Sequence, residues 1–127
     1  MKIYPRESVV LAEDYQAMVA WYQNVLGFKV TRLFEEEYHY CNLENENGIR
    51  LGIAHAREMG INPNDRKNNT VVLQLQVADV QSFLEHISKN DGTIAFGPSL
   101  DKKDGFWYGG FSDFEGNPYW VVDENCP

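Results

Sequence analysis

Two stretches of the chain carry one pattern at an offset of 65 residues. In LAEDYQAMVAWYQNVLGF, Asp14 stands 13 residues before Gly27; in LQVADVQSFLEHISKNDG, Asp79 stands 13 residues before Gly92. Each Asp follows a β-like run, residues 8–12 in the first copy and 70–77 in the second. Each Asp also precedes apolar residues at helical spacing: Met18, Trp21, Tyr22 and Val25, then Val80, Phe83, Leu84 and Ile87. An Asp at a helix start can accept the unpaired N–H groups of the first turn. A Gly at the end can take the left-handed conformation that stops a helix. Strand, cap, apolar stripe and stop repeating together predict a duplicated supersecondary unit.

Three further strands are expected after each helix: 29–33, 37–43 and 49–55, then 93–96, 107–112 and 118–123. Asn47-Gly48 suits a tight hairpin turn, and residues 113–117 (DFEGN) read as another. Residues 57–69 are rich in Asn, Pro, Gly and charge and read as the connector. The expected fold is therefore α+β, a single domain over 1–127 with βαβββ modules at 6–56 and 70–124. Each copy is about 60 residues, too short to bury its sheet well by itself. Period-2 alternation then assigns faces. Ile49, Leu51 and Ile53 point one way, and Arg50, Gly52 and Ala54 the other. Val71, Leu73, Leu75 and Val77 form an apolar face opposite Val72, Gln74 and Gln76. The apolar faces should pack the helices, leaving the mixed faces solvated or free for a ligand.

Composition narrows the classes of partner. Nineteen acidic against 11 basic residues give a net charge of −8, which argues against nucleic acid and against an anionic membrane surface. No stretch approaches a membrane span, and the start MKIYPRESVV lacks the apolar region of a secretory signal. Cys41 and Cys126 form no disulfide framework and no metal-binding Cys pair, though sequence leaves a single bridge between them open. The expectation is a cytoplasmic protein.

Asp14, then Ala20-Trp21-Tyr22, then Leu26-Gly27-Phe28 resembles the opening motif of the vicinal oxygen chelate superfamily. That group includes glyoxalase I, bleomycin- and fosfomycin-resistance proteins and extradiol dioxygenases. Asp113-Phe114-Glu115-Gly116-Asn117 is similar to its closing DPDGN turn, with Phe114 in place of Pro. The resemblance spans roughly residues 6 to 124. It implies two βαβββ modules forming a cupped eight-stranded mixed sheet, with helices on the outer face, a ligand inside and pairing as a homodimer. Metal-dependent members hold a divalent ion through His and Glu from the first, fourth, fifth and last strands. Placed by the motifs, those positions fall on Glu7, Arg50, Val72 and Trp120. Arg50 is a fixed cation and Val72 has no donor atom, so one ligand in four remains. None of His39, His55 and His86 falls in the first or fifth strand.

These residues lead to the expectation of a metal-free, cofactor-free protein of the bleomycin-resistance-like kind. It would bind a small organic molecule, with drug sequestration as one use. The candidate ligand contacts are Glu7, Tyr40, Arg50, Gln74, Gln76, Trp107 and Trp120. Trp120 offers an aromatic face, and Arg50 could bind an anionic group or pair with Glu7. The alternative is a metal-dependent lyase, isomerase or dioxygenase of the same superfamily with its ligands displaced. A third reading is a structural module with a filled cup.

Overall fold

The computed structural model describes residues 1–127 and gives the order βαβββ twice: β1 (Ser8–Ala12), α1 (Tyr15–Asn24), β2 (Lys29–Phe34), β3 (Tyr40–Glu44) and β4 (Arg50–His55), then β5 (Leu73–Gln76), α2 (Val80–Lys89), β6 (Thr93–Asp101), β7 (Phe106–Ser112) and β8 (Pro118–Val122). The fold is α+β. It divides into two compact units, Met1–Asn64 and Asp65–Pro127, with the boundary inside the expected connector. Each unit holds one four-stranded mixed sheet, ordered β1-β4-β3-β2 and β5-β8-β7-β6. In each, the strand before the helix pairs in parallel with the last strand, and the remaining pairs are antiparallel.

The helix caps form as the sequence implies. The Asp14 carboxylate accepts from Ala17 N–H at 3.2 Å, and the Asp79 carboxylate from Ser82 N–H at 3.0 Å. Tyr15, Met18, Trp21 and Tyr22 of α1 are buried, as are Val80, Leu84 and Ile87 of α2. In the first unit they share the core with Ala12, Cys41, Leu43, Leu51 and Ile53; in the second, with Phe111, Tyr119 and Val121. Burying each such aliphatic side chain stabilises by roughly 1.5–3 kcal/mol relative to exposure.

The helix stops differ between copies. Gly27 has φ +74, as a left-handed stop requires, but after α2 the positive φ belongs to Asp91, at 67. Gly92 is needed for another reason. A Cβ there would collide with Ile87 Cγ2 and lie 3.1 Å from the carbonyls of Ile87 and Ser112. Gly48 takes φ +88 in the β3–β4 hairpin, where the Asn45 side chain accepts from Asn47 and Ile49 N–H.

Three strands depart from expectation by three residues or more at one end. β5 starts at Leu73, because it pairs only with β8 and that pairing begins at Leu73↔Tyr119; Val71 is 80% exposed rather than part of an apolar face. β3 starts at Tyr40, leaving 35–39 as the connection from β2, so Tyr38 and His39 lie outside the strand. β6 continues past Phe96 to Asp101, because its register shifts between Phe96 and Ser99 and accommodates Pro98 on an edge strand.

Two buried carboxylates, Asp113 and Asp123, are structural. Asp113 accepts from Glu115 N–H and Asn117 N–H at 3.0 Å each, closing the DFEGN turn. Asp123 accepts from Trp107 N–H at 3.0 Å. Gly92→Ala is expected to destabilise the protein by about 1–3 kcal/mol through overpacking. Urea denaturation checks this, through a lower midpoint at unchanged slope.

Candidate functional site

Register fixes which side chains stand on the helix-free face of each sheet. In the first unit Val9 pairs Gly52, Asn42 pairs Gly52 and Tyr40 pairs Ala54. Glu7, Arg50, Gly52, Tyr40 and Asn42 therefore share that face by alternation. The Glu7 carboxylate accepts from Tyr40 Oη at 3.1 Å and from Asn42 Nδ2 at 2.7 and 3.0 Å. Gly52 leaves room for this cluster, since a Cβ there would collide with Tyr40 Oη and lie 3.0 Å from Glu7 Oε2. Burial first, and the bond to Glu7 second, push the Tyr40 phenol up to about 12. Phe34 meets Tyr40 edge-on at 6.3 Å, and the Arg32 guanidinium lies 4.4 Å from the Phe34 ring centre. Arg50 does not pair with Glu7. Its long side chain reaches outward to Glu44 at 3.8 Å and is mostly exposed, so of the two roles open to Arg50 the internal pair with Glu7 is not formed, and the phenol and amide bind Glu7 instead.

In the second unit Gln74 pairs Trp120, Gly110 pairs Trp120, and Tyr108 pairs Val122. Phe96 lies over Gly110, where a Cβ would strike its ring. The result is a row of aromatic rings. Phe96 meets Trp120 edge-on at 6.4 Å, Tyr108 is 6.5 Å from Phe96, and Phe106 is 5.9 Å from Tyr108. Trp120 is 52% exposed and Phe96 42%, so neither fills the core. Gln74 stands beside Trp120 and Gln76 beside Val122, both exposed. Trp107 is the exception among the candidates. It shares parity with Gly109 and Phe111, which face α2, and so stands on the opposite face from Trp120 and Gln74.

The sequence reading missed Asn42, Phe34 and Arg32 in the first unit and Phe96 in the second. Asn42 was accessible through its parity with Tyr40. Phe96 was not, because its place over Gly110 depends on the irregular β6–β7 register. A shallow groove of about 360 Å³ adjoins the first unit's β2–β3 connection, lined by 33–38 rather than by the Glu7 cluster.

The four positions at which the superfamily pattern places a metal carry a carboxylate, a guanidinium, an isopropyl group and an indole. Moving two residues along each strand keeps the face but reaches Val9, Gly52, Gln74 and Val122. No three His, Cys, Asp or Glu side chains are grouped so as to hold an ion. These residues do not fit a divalent ion of the superfamily type.

The family model described as Glyoxalase/Bleomycin resistance protein/Dioxygenase superfamily matches residues 8–121. The chain belongs to that superfamily. No curated protein matches it. Among solved structures, a hypothetical protein from S. aureus is similar at TM-score 0.77 and 16% identity, with 97% of this chain and 95% of that chain covered. A superfamily member from Sphaerobacter thermophilus gives 0.75 at 17% identity, covering 97% and 98%. Glyoxalase I from Zea mays gives 0.74 at 17% identity, covering 91% of this chain and 43% of that one. At these identities the likeness is one of fold. No helix is long and apolar enough to cross a membrane.

The Tyr40 phenol should keep its proton well above the ordinary value of 10.0. The unfolded chain releases that proton first, so this group's contribution to stability is present below pH 10 and lost as pH rises toward 12. A ¹³Cζ tyrosine NMR titration should show Tyr40 moving part of the way back toward 10 in Glu7→Gln, burial retaining the rest.

Proposed function

We propose that this protein is a metal-free binder of a flat, unsaturated organic molecule, which stacks on the aromatic row of the second unit. The observation that carries this reading is the half-exposed Trp120. An indole stands where the superfamily pattern has a metal ligand, in ring contact with Phe96 and cross-strand from Gln74. Rings held by neighbours present π faces at little entropic cost, and the Gln74 and Gln76 amides can donate to or accept from ring substituents. Separately, Glu7, Tyr40 and Arg50 are proposed as polar contacts on the first unit's own free face, and Trp107 is not a contact. Arg50, mostly exposed beside Glu44, can turn to an anionic group there, and the Glu7 carboxylate can meet a cationic one. Drug sequestration is the use that fits a binder without a catalytic ion. The unpaired Cys41 and Cys126 support a reducing, cytoplasmic setting, and pairing as a homodimer is part of the proposal.

The test is a titration of planar aromatic compounds followed by tryptophan emission, with Trp107→Phe and Trp120→Phe separating the indole signals. A binding compound should quench Trp120, and Trp120→Ala should weaken it roughly 2- to 12-fold. Quenching that survives Trp120→Phe and disappears in Trp107→Phe would overturn this placement.

A further inference from the structure

On the free face of the first unit's sheet, the half-buried Glu7 carboxylate is held by neutral groups. It accepts from the Tyr40 hydroxyl at 3.1 Å and from the Asn42 side-chain amide at 2.7 and 3.0 Å. Neutral donors satisfy a carboxylate's lone pairs but leave its charge in place. The cations of the same face are engaged elsewhere. Arg50 stands cross-strand from Glu44 and lies 3.8 Å from its carboxylate. The Arg32 guanidinium lies 4.4 Å from the Phe34 ring centre. Arg6, next in sequence to Glu7, acts on the Tyr40 phenol through its charge alone.

The cluster also has acceptors to spare. A carboxylate has about four lone-pair sites, and the phenol and amide take three of them. Asn42 turns Nδ2 to Glu7 and so keeps Oδ1 as an acceptor. The Tyr40 oxygen, whose proton goes to Glu7 and is held up to about 12, keeps a lone pair. Gly52 is the floor of the cluster, and its missing side chain is what lets Tyr40 and Glu7 meet there. Val9, the cross-strand partner of Gly52, is apolar and 51% exposed.

We propose that Glu7, Tyr40 and Asn42 bind the primary ammonium group of an organic amine, with the alkyl stem of the amine over Val9. An –NH₃⁺ group has three N–H donors and no acceptor, which matches three acceptors of which one is charged. A guanidinium pairs best with a carboxylate through a two-point fork, and Asn42 already occupies both Glu7 oxygens. A quaternary ammonium carries the charge but has no donor. The cluster therefore selects –NH₃⁺ over both. This inference rests on the reading of the first unit's free face as a contact surface, and is independent of the stacking surface of the second unit.

The experiment follows the Asn42 side-chain amide in ¹H–¹⁵N NMR spectra at neutral pH while n-butylamine, n-butylguanidine, n-butyltrimethylammonium or n-butanol is added. The expected result is a saturable shift with n-butylamine at several-fold lower concentration than with any of the other three. Glu7→Gln should weaken amine binding at least about tenfold and Tyr40→Phe about 2- to 12-fold, each checked for folding by circular dichroism. Glu46→Gln, which removes an exposed charge in the β3–β4 hairpin, should bind the amine as the wild type does. Equal binding of the guanidine or the quaternary ammonium, or unchanged amine affinity in folded Glu7→Gln, would overturn the proposal while leaving the face a contact surface. Absence of a saturable shift with all four compounds would overturn both.

Discussion

Each helix lays an apolar stripe on one face of its own sheet, and the chemistry of the other face follows from that contact. Val80, Leu84 and Ile87 are buried on α2, while Phe111, Tyr119 and Val121 are buried on its sheet. Strand geometry then places Gly110, Pro118, Trp120 and Val122 on the face the helix does not cover. The same logic in the first unit buries Cys41, Leu43, Leu51 and Ile53, and turns Tyr40, Asn42, Arg50 and Gly52 the other way. A one-residue slip in either sheet would exchange core for surface, so the burial that stabilises the fold also fixes the site.

The free faces carry their own chemistry on a strand arrangement shared with the superfamily fold. At the first-strand position Glu7 keeps a carboxylate, but a phenol and a side-chain amide bind it. At the last-strand position an indole replaces a donor, and Phe96 leans on it over a glycine that permits the approach. At these positions, where the superfamily pattern would place metal donors, the side chains meet through aromatic contact and hydrogen bonding.

The duplicated pattern made most of the fold legible. Asp14 and Asp79 cap their helices, and the strands after the helices begin at residues 29 and 93 as expected. Gln74 with Trp120 is a direct cross-strand pair that parity in a regular ladder can show, whereas Glu7 reaches Tyr40 from a non-adjacent strand across Gly52, which alternation alone does not show. Trp107 was named as a contact beside Trp120, but its parity within β7 sets it on the face opposite Trp120 and Gln74. Phe96 and the length of β6 were hidden by Pro98, whose usual meaning as a strand stop is cancelled by a register shift on an edge. The partner of Arg50 could not be read either, because a long surface side chain has several carboxylates within reach and Glu44 on the facing strand is nearer in register than Glu7.

The central claim is that the free face of the second sheet binds by stacking and without an ion. The most direct measurement is intermolecular NOE spectroscopy on chelator-treated protein, with a planar aromatic compound bound and the tryptophan and phenylalanine rings selectively labelled. The expected result is cross-peaks from the compound to the Trp120 and Phe96 rings, with none to Trp107. Loss of binding on chelation, or cross-peaks confined to rings on the helix side, would contradict the claim.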